Sequence, residues 1–540
     1  MAASGIDARW TPARSVAGRH NPWSIVGVIS IATLMSVLDA TIANVALDHI
    51  AASFSATYDE STWVLTSYLV ANAVIIPASG WLADVVGRKR YYMLSVAIFS
   101  ASSLLCGLAP SLSMLVVARV LQGVGGGGLA PVEQSMLADT FPPSKRGAAF
   151  AAYGGVVIIG PIVGPTLGGW ITDVLSWHWA FFINVPTGML SLALVSIFVD
   201  EPEAVRRHTA RLKSSGVRFD YIGFAFASLW LGCMEVALDR GQIDDWFSSP
   251  LITVFSVVAL LSFLALIPWE LMHDRPLINL HLLRSGNFAV SCVLLTALGI
   301  TMFGTMQVIP QLLQEVLGYT ATQAGLVLTA AGVFTMIAMG LVGALSNRVD
   351  VRLLVAVGFA LQAISLYLMG HLNTQMSFYD AVAVRVPQAF GAPFLFIPIN
   401  LVAYAELAPE ENNQASAFMN VLRNLGGTVG IATMQTMLTR GAQLHQSQLV
   451  QQLNPLNPNY NAFMRHLTHS LGGQGPRASG AALGMLYGIV QKQAQMLAYI
   501  HVFYFFAGLA LCMLPLLLLM RRPGHEGRAQ TEAAVSEGAL

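Results

Sequence analysis

Fourteen runs of about twenty mainly apolar residues punctuate the 540-residue chain, near 23–45, 61–83, 91–109, 112–137, 147–172, 178–199, 220–238, 249–269, 288–312, 322–345, 352–370, 378–405, 413–438 and 498–520. A helix rises ~1.5 Å per residue, so each run spans the ~30 Å hydrocarbon core of a bilayer and predicts one membrane helix. The first run follows Arg9, Arg14, Arg19 and Pro22 but reaches about Val45, too far for the short apolar core of a signal peptide. With 55% hydrophobic and only 10% charged residues, against roughly 25% charged in soluble domains, the chain reads as an all-α polytopic membrane protein.

The basic residues orient it. Counted over alternate connections, twenty of the 28 Lys and Arg fall on the side of the N-terminus, including Arg88-Lys89-Arg90, Lys145-Arg146 and five between Arg206 and Arg218. Five fall on the other side, at Arg240, Arg440, Arg465, Arg477 and Lys492, while Arg119, Arg385 and Arg423 lie inside helices. Positive charge accumulates on the cytoplasmic side, so both termini are expected there. The 28 Asp and Glu balance the basic side chains, and no nucleic-acid partner is implied. Cys106, Cys233, Cys292 and Cys512 sit in apolar runs and give neither a disulfide framework nor metal-ligand spacing. Without an HExxH, GxSxG or GK[ST] pattern, no metal, cofactor or enzyme activity is expected.

Arg119 opens the stretch RVLQGVGGGGLAP inside an apolar run that begins at Leu112. An isolated charge in hydrocarbon costs at least ~2.5–3.5 kcal/mol, so Arg119 is expected to face the interior and to have a partner. Asp39 and Arg119 lie at matching distances from the outer ends of helices 1 and 4, both about 10 Å below the surface. Equal depth permits a buried pair, either a static packing device or a site of ion coupling. Gly123, Gly125 and Gly128 also match a dinucleotide fingerprint, but that needs a preceding strand and a βαβ unit.

An internal repeat follows from the same residues. Arg119-x-x-Gln122 recurs 266 positions on as Arg385-x-x-Gln388, and Gly160 and Gly164 recur at the same offset as Gly426 and Gly430. Two related six-helix halves are therefore predicted, at 23–199 and 288–520, the latter including an extracytoplasmic loop at 440–497. An inserted helix pair at 220–269 stands between cytoplasmic linkers 200–219 and 270–287, with tails at 1–22 and 521–540. Paired repeats are a common build of secondary transporters, with the site between the halves near the midplane. The offset carries Asp39 onto Thr305, so only the N-terminal half keeps a titratable pair, and ion coupling is assigned to that half.

Four motifs appear in order: Leu38-Asp39-x-Thr41-Ile42-x-Asn44-Val45-Ala46-Leu47, Gly80-Trp81-Leu82-Ala83-Asp84-x-x-Gly87-Arg88-Lys89-Arg90, Arg119-Val120-x-Gln122-Gly123, and Gly160-Pro161-x-x-Gly164-Pro165-x-x-Gly168-Gly169. Over nearly the whole chain this resembles the fourteen-helix drug:proton antiporters of the major facilitator superfamily, the EmrB/QacA-type multidrug exporters. The resemblance implies a major facilitator fold of two six-helix halves plus two inserted helices, and proton-coupled export of amphipathic drugs or toxic hydrophobic compounds by alternating access. It further implies a multi-pass protein of the bacterial inner membrane, with a periplasmic adaptor protein and an outer-membrane channel as partners. Protons, amphipathic small molecules and the lipid bilayer are the other expected partners, and the proton gradient the energy source. Export of one endogenous metabolite, siderophore or fatty acid is the alternative, and a non-transporting scaffold or enzyme is a rival of another class.

These motifs also have physical readings of their own. Asp84 and Arg88 can pair and cap a cytoplasmic helix end, as a latch between states or as a solvated anchor. The glycines of helix 5 permit bending and close packing, and Pro161 and Pro165 loosen its backbone ladder. Asp48, His178 and His501 depart from the residues usual in the family. Glu133 reads first as an acid snorkelling to the interface, with a site for a cationic substrate or second proton as the alternative. Glu235, on an inserted helix, has no evident role at this level.

Asn44, Trp63, Tyr68, Gln122, Glu133, Gln307, Gln311, Gln388, Asn420 and Arg423 are candidates for a midplane cavity, with Asn424 beside them and Met302, Phe303, Met306 and Met419 as adaptable apolar surface. For any one of the polar residues, helix-to-helix hydrogen bonding is the competing role. The 440–497 loop predicts an extracytoplasmic helix, a linker and a second polar helix, and is the candidate docking surface for an adaptor or else a passive cap.

Overall fold

The computed structural model describes residues 21–520 apart from 202, 215–218, 274–275, 347, 408–410, 455 and 472–475. Both tails lie outside the described residues, with the basic residues expected to orient them, as do Arg218 and Arg275 of the linkers. Fourteen long helices form: α1 Pro22–Val45, α2 Trp63–Val86, α3 Arg88–Gly107, α4 Leu112–Thr140, α5 Pro143–Val174, α6 Trp179–Phe198, α7 Tyr221–Arg240, α8 Pro250–Met272, α9 Gly286–Val316, α10 Ala321–Leu345, α11 Val351–Met369, α12 Phe378–Ala403, α13 Asn412–Gln451 and α14 Pro476–Cys512. Among the described residues, eleven are long and apolar enough to cross a membrane. No described residue is in a strand.

Local chemistry sets many of the helix starts. Asn21 accepts a hydrogen bond from the Trp23 amide at 3.0 Å, and Ser111 one from Met114 at 3.3 Å. Thr320 with Gln323, and Ser377 with Asp380, form capping boxes. At the α2–α3 turn Gly87 adopts φ +101, a conformation open to glycine and strained for any other residue.

The helices assemble as two bundles with the same internal pattern. In the first, α1 packs on α5, α2 on α4, and α3 on α4 and α6; in the second, α9 packs on α13, α10 on α12, and α11 on α12 and α14. The bundles meet along two seams, α2 against α13 and α5 against α10. The pair α7–α8 packs on itself, and α7 leans on α2 and α13. On α8 the side chains of Val254, Val257, Leu260, Leu261 and Leu264 face outward, as a lipid-facing surface requires.

The bounds of the last two long helices differ from expectation. Helix 13 does not stop near 438 but runs unbroken to Gln451, and helix 14 begins at Pro476 rather than near 498. The α13 extension lies against α14, with His445 Nε2 and His501 Nδ1 2.9 Å apart, so tertiary contact sustains helix beyond the apolar window. The helix expected at the start of the loop is the continuation of α13, and a further helix forms at Pro458–Ser470, where a linker was expected. Helix 4 is interrupted at Gly127-Gly128, and α9 ends in a π turn over Leu312–Val316.

Candidate functional site

In the N-terminal bundle Asp39 and Arg119 meet, both fully buried, with Nη1 2.6 Å from Oδ2. Each group is satisfied further. Arg119 donates through Nε to the Val64 carbonyl at 3.0 Å and through Nη1 to Gln122 Oε1 at 2.8 Å. Asp39 Oδ1 accepts from Gln122 Nε2 at 2.8 Å and from Asn184 Nδ2 at 2.7 Å. Both amides also donate to Ser103 Oγ, at 3.2 and 3.0 Å, and that hydroxyl donates to the Phe181 carbonyl at 2.8 Å. The network therefore ties α1, α2, α3, α4 and α6 together. Ser103 and Asn184 were not among the candidates from sequence; Asn184 closes the stretch Trp177-His178-Trp179-Ala180-Phe181-Phe182-Ile183-Asn184 around the His178 departure, which was the signal available.

Between the bundles lies a cavity of about 630 Å³. Tyr68 and Arg119 both line it, and Tyr68 lays its ring 4.2 Å from the Arg119 guanidinium carbon, so the ion pair stands in the cavity wall beneath an aromatic face. Of the expected lining residues, Asn44, Tyr68, Gln307, Gln388 and Asn420 face the cavity, joined by Asn424, Met302, Phe303 and Met306. The others are placed elsewhere. Gln122 belongs to the ion-pair network, and Trp63 stacks on Arg240 at 5.0 Å. Gln311 donates to Glu315 at 3.3 Å, and Arg423 to Asn420 at 2.7 Å.

Glu133 corrects the snorkelling reading and the reading as a cavity residue. It neither snorkels nor lines the cavity: it is fully buried and accepts hydrogen bonds from Thr33 at 2.8 Å, Tyr92 at 3.1 Å and Tyr153 at 3.0 Å. Hydroxyls from α1, α3 and α5 converge on it because an unpartnered carboxylate at that depth would be far costlier. Glu235, without a role in the sequence, lines the cavity together with Asp239 and accepts from Thr428 at 3.1 and 3.0 Å.

The cavity reaches Val45, Leu65 and Gln314 at one end and stops at Ile76, Pro131 and Asn420 in the other direction. Beyond that floor the bundles are joined. Asn413 of α13 bonds to Asp84 and to Ser135, and Asn412 donates to Asp139 at 2.6 Å. Ser416 donates to the Pro131 carbonyl at 2.6 Å, and Asn420 to Gln134 at 2.9 Å. Arg88 forms an ion pair with Asp139. The Asp84 and Arg88 motif thus bridges to α13 and α4, beyond the single-helix pairing expected of it. A Cβ on Gly80 would lie 3.1 Å from the Asn413 carbonyl oxygen, so glycine there lets α2 and α13 meet.

On α5, a Cβ on Gly160, Gly164 or Gly168 would collide with Val37, Thr41 or Ile42, the α1 residues flanking Asp39. Gly169 has nothing within 4 Å and takes no part in that contact. Pro165 lines the cavity, while the side chain of Pro161 lies outside the described residues. Helix α5 runs continuously through the motif. The glycine run after Arg119 has the same logic: Gly123, Gly125 and Gly127 abut the backbone of α2 and α3, and no strand precedes them.

A two-bundle helical fold with a cavity at the seam and a buried charge pair in its wall is the architecture of a membrane transporter. The Major Facilitator Superfamily model matches residues 29–431, and the chain belongs to that superfamily, on its EmrB-type branch. It is 36% identical to the multidrug export protein EmrB of Escherichia coli over 92% of this chain and 95% of that protein. It is 33% identical to the fatty acid resistance protein FarB of Neisseria gonorrhoeae, over 92% and 96% of the two chains. Among solved structures, the human organic anion transporter MFSD10 superposes with a TM-score of 0.58 at 13% identity, covering 92% of this chain and 99% of that one, a likeness of fold alone.

Proposed function

We propose that the protein is a multidrug efflux transporter that exchanges protons for amphipathic small molecules across a bacterial inner membrane. The observation that carries the proposal is a fully buried Asp39–Arg119 pair in the wall of an inter-bundle cavity, with the Tyr68 ring laid over the guanidinium. The names of the relatives, which speak of multidrug export, support the substrate class.

Protonation of Asp39 removes its charge and with it the Coulomb attraction to Arg119, one of the terms that hold α1 to α4. Helix α1 also lies along the α5 glycines, and α5 packs against α10 of the other bundle, so a shift of α1 bears directly on a seam. Substrate in the cavity and a proton on Asp39 then bias the same two-state element, as exchange requires. The positive-inside count puts the sealed Asp84–Asn413 end in the cytoplasm, so the arrangement described is the outward-facing one.

The test is transport by protein in liposomes carrying an imposed pH gradient. Asp39→Asn is expected to abolish uphill movement of a substrate while leaving its binding. Undiminished gradient-driven transport by that variant would remove Asp39 from the mechanism.

An adaptor protein is assigned to the hairpin formed by the α13 and α14 extensions and helix 458–470, where Leu444, Met485 and Tyr487 are exposed. Photo-crosslinkers at those positions are expected to capture a periplasmic adaptor protein; capture only through the membrane spans would move the docking site.

A further inference from the structure

The C-terminal bundle repeats the N-terminal network with one group missing. Arg385 bonds to Gln388 just as Arg119 bonds to Gln122. Gln388 Nε2 donates to Thr305 Oγ1 at 2.8 Å, where in the first half Gln122 Nε2 donates to the Asp39 carboxylate at the same distance. Gln388 also reaches Gln362 Oε1 at 3.1 Å. The amide scaffold is thus kept, but a hydroxyl stands where the first half has an anion. Among the described residues, no carboxylate lies within 4.0 Å of the Arg385 guanidinium. Arg385 is only 9% exposed, and what it exposes lines the cavity, beside Met302, Phe303 and Met306.

A buried guanidinium that reaches an apolar cavity without a counter-charge is a recognition element for a planar anion, because its forked donors match a carboxylate. We propose that Arg385 binds the carboxylate of amphipathic organic acids, whose apolar bodies rest on the methionine and phenylalanine side chains of α9. The substrate supplies in the second half the charge that Asp39 supplies in the first. Glu235 and Asp239 also line the cavity, but they lie on α7, which packs against α2, α8 and α13, and each already accepts a threonine hydroxyl. The assignment rests on the transport reading above and names the substrate class of the same cavity.

The experiment measures fluorescence binding to the full-length protein in nanodiscs. Its probes are dansyl-aminoundecanoate, the uncharged methyl ester of that acid, and the cation dansyl-cadaverine. The acid is expected to bind at least about tenfold more tightly than the ester, the scale of one charge-assisted contact in a dry site. Arg385→Gln is expected to erase that preference and leave ester binding unchanged, while Arg385→Lys keeps part of it. Thr305→Asp supplies the carboxylate from the chain and is also expected to erase the preference, in a protein whose buried charge is now paired. Equal binding of acid and ester, tighter binding of the cation, no binding of the acid, or an acid preference that survives both Arg385→Gln and Thr305→Asp would each overturn the assignment. Binding is read without a gradient, so Asp39→Asn is expected to keep the preference. Protein that prefers the acid but drives no uphill transport overturns the coupling reading alone; protein that transports uphill without an acid preference overturns this one alone.

Discussion

Asp39 accepts hydrogen bonds from Arg119, Gln122 and Asn184, and Glu133 accepts from Thr33, Tyr92 and Tyr153. Two buried carboxylates in one bundle are therefore stabilised by different means, one by a cation and amides, the other by neutral hydroxyls alone. Replacement of the second is expected to act on stability. Thr33 and Tyr92 keep the Ile29 carbonyl as a second acceptor, so Glu133→Leu chiefly strands the Tyr153 hydroxyl. A loss of about 1–3 kcal/mol is expected, read as a lower thermal midpoint in detergent, with Glu133→Gln close to the parent. An unchanged midpoint for Glu133→Leu would show that the hydroxyls find other acceptors. Asp39 and Arg119 were legible in the sequence because charge in hydrocarbon needs a partner at the same depth. Ser103 and Asn184 were not, since small polar residues in membrane helices carry no depth signal, and it takes the packing of α3 and α6 to aim them.

At the level of whole helices, the α5 glycines show how a motif divides into working and idle positions. Gly160, Gly164 and Gly168 recur at helical spacing and face α1, whereas Gly169 points to open space. Gly164→Ala is expected to push α5 off Thr41 and to impair gradient-driven transport severalfold, while Gly169→Ala leaves it near the parent value. Equal effects of the two substitutions would show that the motif acts through backbone flexibility rather than through the α1 contact. The extensions of α13 and α14 make a related point. A hydropathy window ends a membrane helix where polar residues begin, but backbone hydrogen bonding continues wherever a neighbour covers the helix. The insertion α7–α8 read as an accessory pair, yet α7 contributes Glu235 and Asp239 to the cavity wall, because it wedges against α2 and α13 where the bundles part.

Across the whole molecule, the two bundles are sealed at one end by polar side chains and separated at the other by the cavity. A seam made of hydrogen bonds such as Ser135 to Asn413 can open in water, which a large apolar interface would resist. Ser135→Cys with Asn413→Cys, in a Cys512→Ser background, is expected to form a disulfide spontaneously and to stop transport until reductant is added. Cys106, Cys233 and Cys292 are buried and leave that readout clean. Transport that continues in the cross-linked protein would show that this seam does not open during the cycle. By itself the amino-acid sequence determined the all-helical membrane fold, the repeat that relates the two halves and the Asp39–Arg119 pair, because apolar length and the cost of buried charge are local quantities. Only the tertiary structure decided that Glu133 is sealed among hydroxyls, that Glu235 and Arg385 look into the cavity, and that Asp84 reaches Asn413 across the seam. Those facts depend on the rotation of each helix about its axis, and close packing against neighbours far away in the chain sets that rotation.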